Sequence, residues 1–166
     1  MKNIILIGMP GSGKTAFGSA LAGALGRPFY DADQVLEARE GRDIPFIFQT
    51  FGEERFRTME TEVLRELAAM EGIVLATGGG AVLRKENRDI LKASGLVCWI
   101  DRTPERIMGD VAIEGRPLLA AGKERVRTLY KERLALYRET GTMAIANDGT
   151  FEEVLACMIR RIRPWL

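Results

Sequence analysis

The chain has 166 residues, 46% of them hydrophobic and 28% charged, which is ordinary for a globular protein and enough for one sizeable core. Its 24 basic and 23 acidic residues leave a net charge of +1, so no broad basic face advertises nucleic acid or an anionic membrane. Histidine is absent, which excludes Ser-His-Asp hydrolysis and histidine metal sites and leaves any general-base role to a carboxylate or a lysine.

The first apolar run, Asn3 to Ile7, predicts a buried strand. It delivers the chain directly to Gly8-Met9-Pro10-Gly11-Ser12-Gly13-Lys14-Thr15, a match to GxxxxGK[ST]. In that context, a glycine-rich turn points successive backbone N–H groups inward, and a helix opening near Lys14 adds its positive end. The segment therefore predicts binding of a nucleoside triphosphate. Phe17, Leu21 and Leu25 then recur at helical spacing.

A short strand at Phe29 and Tyr30 ends in Asp31-Ala32-Asp33, whose i, i+2 spacing places both carboxylates on one side of an extended segment. One reading makes Asp33 the cap of a helix starting near Gln34. Beside a phosphate loop, a second is available: Thr15 and one carboxylate hold Mg²⁺, and the other carboxylate takes a proton from an attacking hydroxyl. Gly52 to Arg57 opens a helix that continues through Met59, Val63, Leu67 and Met70, with Glu60 one turn beyond Arg57 and able to orient it. Arg55 reads as a solvated charge. Arg57, next to Phe56, is undecided on composition alone.

The run Ile73 to Ala76 ends in Thr77-Gly78-Gly79-Gly80, either a hinge or a place where absent side chains let a ligand approach the backbone. The run Leu96 to Ile100 contains Cys98 and ends at Asp101. Asp101 imitates a metal carboxylate after a strand, but Arg102-Thr103-Pro104 follows, with Pro104 placed to start a helix, so Asp101 is expected to serve the turn. Gly109 to Gly122 shows no clear helix and carries Arg116 at its centre, the pattern of a lid that closes over a triphosphate. Val126, Leu129, Tyr130, Leu134 and Tyr137 mark a helix on which Arg133 reads as an unremarkable surface arginine.

A last strand is expected at Met143 to Ala146, and Cys157 lies on a final helical pattern. The two cysteines lack metal spacing and read as small buried side chains rather than a disulfide. No apolar run approaches the roughly 20 residues of a membrane span, and the chain starts on a strand pattern without a signal segment, so a cytoplasmic location is expected.

Short continuous apolar runs alternating with helical patterns predict an α/β fold: a three-layer α/β/α arrangement with a roughly five-stranded parallel sheet. One domain over residues 1–166 is expected. Ligands should bind beyond the carboxyl ends of the strands, the positions that Asp31, Asp33 and the triple glycine occupy.

Taken together, GMPGSGKT, DAD at Asp31 to Asp33, GEERFRTME at Gly52 to Glu60, TGGGA at Thr77 to Ala81, GRPLL at Gly115 to Leu119 and ERLALY at Glu132 to Tyr137 resemble the shikimate kinases, P-loop enzymes of the nucleoside monophosphate kinase fold. The resemblance covers Ile4 to about Asp148. It implies ATP-dependent phosphorylation of the 3-hydroxyl of shikimate, with ATP on Gly11, Ser12, Gly13, Lys14, Thr15 and Ala16 and reached from the lid by Arg116. It further implies Mg²⁺ on Thr15 and, through water, Asp31. Shikimate would be bound by Asp33, Arg57, Gly79, Gly80 and Arg133, with Asp33 as candidate base and Lys14 and Arg116 compensating charge. The lid falls at about 109–122, the substrate-binding region at about 31–60, and a monomer is the default for the family.

The chain departs from the pattern at Ile107 to Val111, which lacks the adenine-stacking arginine that many members carry, and its counterpart of the adenine loop, Ala146 to Gly149, matches loosely. A gluconate or nucleoside monophosphate kinase would share loop and lid without needing DAD, FR and GGG together. A non-catalytic nucleotide-binding module is opposed by intact Lys14, Thr15, Asp31, Asp33 and Arg116.

Overall fold

A computed structural model describes residues 1–110 and 122–166, with the side chain of Asp110 excluded. Five parallel strands, β1 (Asn3–Ile7), β2 (Phe29–Asp31), β3 (Val74–Ala76), β4 (Gly95–Asp101) and β5 (Met143–Ala146), lie in the order β2-β3-β1-β4-β5. All five expected strands are present. Each residue of β1 is buried, as a central strand covered on both faces requires.

The side-chain period of two divides the core. Ile4 and Leu6 of β1, with Val74, Leu96, Cys98 and Ile100, pack under α1 (Lys14–Leu25) and the last helix, whose Val154, Met158 and Ile162 face them. Ile5 and Ile7, with Leu75, Val97 and Trp99, pack on the other face against the remaining helices. Among the described residues these are α2 (Ala32–Glu40), α3 (Ile44–Phe51), α4 (Glu53–Ala68), α5 (Lys85–Ser94), α6 (Pro104–Asp110) and α7 (Lys123–Thr140), followed by α8 (Phe151–Ile162) on the first face. The predicted α/β/α layering is therefore observed.

Local chemistry sets the helix ends. Gly26, at φ +63°, closes α1 in the left-handed conformation that a side chain rarely adopts. Thr150 and Glu153 form a reciprocal capping box that starts α8. Pro104 opens α6 as predicted. That helix runs to Asp110, so the expected loop from Gly109 is helical at its first residues; positions 111–121, with Arg116, lie outside the described residues. Helix α4 stops at Ala68, two residues short of the last apolar position predicted for it, and Met70 is exposed. Cys98 is fully buried and its thiol is pushed up to about 12 by that burial, whereas Cys157 is half-buried. No helix among the described residues is long and apolar enough to cross a membrane.

Candidate active site

The loop between β1 and α1 is built by backbone. Gly11 at φ +81° and Gly13 at φ +102° make the two sharp bends, and Ser12 N–H donates to the Met9 carbonyl at 3.0 Å. Gly13 is the N-cap of α1 and makes no side-chain cap hydrogen bond, so the first-turn amides of Thr15 and Ala16 have no side-chain cap. That is the arrangement an anion at a helix N-terminus uses. Lys14 is buried and its Nζ donates to the carbonyls of Gly8 and Met9, both at 2.8 Å, so the ammonium is held inside the bend of the loop.

Two residues brace this loop from the ends of β4 and β5, a role the sequence reading gave to neither. Arg102 Nη1 donates to the Gly11 carbonyl at 3.0 Å, and Asn147 Nδ2 donates to the Ser12 carbonyl at 2.8 Å. Their position immediately after the strand ends was the available signal. Asp101, read as a turn residue, instead accepts from the Tyr130 hydroxyl at 2.9 Å and ties β4 to α7.

The carboxylates at the end of β2 divide their tasks differently from the extended-segment reading. Asp31, not Asp33, is the helix cap: its Oδ1 accepts from the N–H groups of Asp33 at 3.0 Å and Gln34 at 3.2 Å, and α2 begins at Ala32. Its other oxygen accepts from Thr15 Oγ1 at 2.6 Å. A hydroxyl and a carboxylate oxygen in contact beside a phosphate loop form a hard-donor set suited to Mg²⁺, which takes few protein ligands and completes its shell with phosphate and water oxygens. Asp33 lies in the first turn of the helix, its side chain free of that capping duty.

The triple glycine explains itself through its neighbours. A Cβ at Gly78 would stand 2.8 Å from Asp33 Oδ1 and 3.0 Å from Glu60 Oε2. One at Gly79 would meet the Pro10 ring of the phosphate loop at 2.5 Å, and one at Gly80 would lie 2.4 Å from both terminal nitrogens of Arg57. None of the three has positive φ, so close approach and not hinge freedom demands glycine here. One three-residue turn thus touches the phosphate loop, Asp33 and Arg57.

Arg57 and Glu60 form a buried pair at 2.9 Å on one face of α4, and the exposed Arg55 is the solvated charge expected. The guanidinium also lies 5.1 Å from the Phe56 ring centroid and 5.9 Å from that of Phe48, an aromatic wall of which Phe48, from α3, was not anticipated. Arg133 is only 4% exposed and so is no surface arginine. It lies close enough to Glu60 and Tyr137 to influence both. Arg57 Nε and Arg133 Nη1 are buried donors without a protein partner, which suits capture of an anionic ligand.

Burial pushes the Asp33 carboxyl up to about 7, with the Glu60 and Asp31 carboxylates adding to the rise and Lys14 opposing it. Glu60 is likewise raised by burial, with Arg57 pulling it back. A carboxyl poised near neutrality next to a phosphate loop can exchange a proton with a bound hydroxyl.

A family model described as shikimate kinase matches residues 10–163. A shikimate kinase from Clostridium botulinum (strain Alaska E43 / Type E3) is 42% identical over 156 residues, covering 93% of this chain and 94% of the relative. The solved structure of a shikimate kinase from Acinetobacter baumannii in complex with shikimate superposes with a TM-score of 0.93 at 39% identity, over 99% of this chain and 94% of that one. A gluconokinase from Sinorhizobium meliloti 1021 reaches a TM-score of 0.58 at 16% identity, over 98% of this chain and 94% of its own, a likeness of fold alone. With the phosphate loop, the DAD carboxylates and the glycine turn assembled as described, this chain belongs to the shikimate kinase family.

Proposed function

We propose that the chain transfers the γ-phosphoryl group of ATP to the 3-hydroxyl of shikimate, giving shikimate 3-phosphate on the route to chorismate and the aromatic amino acids. The observation that carries this reading is the glycine turn: Gly78, Gly79 and Gly80 are pressed respectively by Asp33, by Pro10 of the phosphate loop and by Arg57. A small acid with several hydroxyls needs those three neighbours together: a carboxylate to accept its hydroxyls, a guanidinium for its own carboxylate, and a γ-phosphate within reach.

In this reading Gly11, Ser12, Gly13, Lys14, Thr15 and Ala16 hold the phosphates through amides and the ammonium. Arg57 and Arg133 grip the shikimate carboxylate, each bringing a buried N–H that the protein leaves unpartnered. Asp33, with the Gly79 and Gly80 backbone, reads the ring hydroxyls and accepts the proton of the attacking one. Thr15 and Asp31 would hold Mg²⁺, whose chemistry there is to offset charge on the β- and γ-phosphates. Arg116, outside the described residues, would add a second compensating charge from a lid at about 109–122. The kinase would be one domain over 1–166, acting as a monomer in the cytoplasm.

The deciding experiment measures ADP release with ATP and Mg²⁺ while shikimate, gluconate, AMP and CMP are offered separately. Turnover with shikimate alone is expected. Turnover with gluconate and none with shikimate would reject the reading.

A further inference from the structure

The mechanism above gives no role to Tyr137, although its hydroxyl makes the shortest described contact to the glycine turn, donating to the Gly79 carbonyl at 2.6 Å. The side chain is fully buried, and its ring stacks on Trp99 of β4 with centroids 6.1 Å apart and planes 17° from parallel. Burial pushes the phenol up to about 12, so it keeps its proton and remains a donor across the working range. Arg133, one helical turn earlier on α7, lies beside that hydroxyl. The peptide unit is planar and trans, so the Gly79 carbonyl and the Gly80 N–H point in opposite directions across one rigid plane. Fixing the carbonyl on Tyr137 therefore fixes where the Gly80 amide points.

We infer that Tyr137 is a positioning residue of the acceptor site: its hydroxyl locks the Gly79–Gly80 peptide so that the glycine amides and Arg133 present one preformed surface to the acid. The inference rests on the shikimate reading. Three contacts converge on that peptide from separate elements, namely Pro10 of the phosphate loop on Gly79, Arg57 of α4 on Gly80, and Tyr137 of α7 on the carbonyl between them. Only the last is directional. Packing alone restrains the peptide's position, whereas the hydrogen bond selects its orientation.

The test is Tyr137→Phe, which keeps the ring on Trp99 and removes the hydroxyl, beside Tyr130→Phe, which removes the hydroxyl bonded to Asp101 on the same helix. Steady-state kinetics in both substrates, shikimate titration by calorimetry without ATP, and thermal melting are read for each. Y137F is expected to raise the shikimate KM and the shikimate Kd about tenfold, with the ATP KM within about twofold and Y130F within about twofold on every constant. The role is overturned if the shikimate constants of Y137F stay within twofold of wild type. A parallel rise in both KM values, an equal loss in Y130F, or a Y137F protein that does not fold would also overturn it, because each assigns the hydroxyl to general stability. Wild-type turnover and binding are read first. Their absence counts against shikimate as acceptor, whereas the ratio of Y137F to wild type counts only for or against Tyr137.

Discussion

The two halves of the site are built on opposite principles. The phosphate side, between β1 and α1 and braced from β4 and β5, is backbone chemistry drawn from one contiguous stretch: glycine bends, an uncapped helix start and a lysine folded onto its own loop. The acceptor side draws single side chains from α2, α4 and α7 onto a turn after β3, and the charges on α4 and α7, Arg57, Glu60 and Arg133, are buried and need partners. A backbone cradle depends on local conformation, so it survives most changes elsewhere. An assembled side-chain site depends on distant packing, so stability and recognition are entangled within it.

The largest expected break is on the phosphate side. Lys14→Met removes the ammonium that would stabilise charge in the transition state and should lower turnover at least about 100-fold, about 2.7 kcal/mol, whichever acceptor is offered. ADP release measures it; a rate within tenfold of wild type would deny Lys14 that role. Asp33→Asn probes the boundary between the halves. Turnover should fall by roughly 10² to 10⁴ with ATP affinity kept, and nucleotide titration alongside initial rates separates the two. A near-normal rate would leave Asp33 with hydroxyl recognition only.

The entanglement on the acceptor side can be undone deliberately. Arg57→Ala leaves the Glu60 carboxylate buried and unpaired, and should cost about 3–5 kcal/mol of stability as well as shikimate affinity. Arg57→Met with Glu60→Leu replaces the pair by apolar groups of similar volume and should recover most of that stability while shikimate binding stays lost. Denaturant melts and calorimetry together read both quantities. Recovery of shikimate affinity in the double variant would mean that Arg57 serves the fold and not the ligand.

Legibility in the sequence followed the same division. The strands, the layering and the phosphate loop were readable because continuous apolar runs and glycine bends are properties of neighbouring residues. Asp31 and Asp33 were visible as a pair, but which one capped the helix depended on where α2 began, a boundary that one residue of shift reverses. Arg133 showed no local sign of burial, and the charge it acts on, Glu60, sits on a different helix far away in the chain. Composition leaves Arg57 undecided in the same way, and what marks it is Gly80, packed against its guanidinium. Family resemblance supplied those residues; composition and spacing did not.

The smallest expected effect tests the braces of the phosphate side. Asn147 donates to the Ser12 carbonyl from the loop after β5, and its loss leaves that carbonyl to be solvated without moving any group proposed to touch shikimate. A typical neutral hydrogen bond contributes about 1 kcal/mol, so Asn147→Ala should raise the ATP KM about fivefold and leave the shikimate KM at its wild-type value. Because the loop's bends are set by Gly11 and Gly13 and Arg102 still holds Gly11, the cradle should loosen without collapsing. A larger rise in the shikimate KM than in the ATP KM would show that the two halves share one mechanical unit, and the division drawn between them would fail.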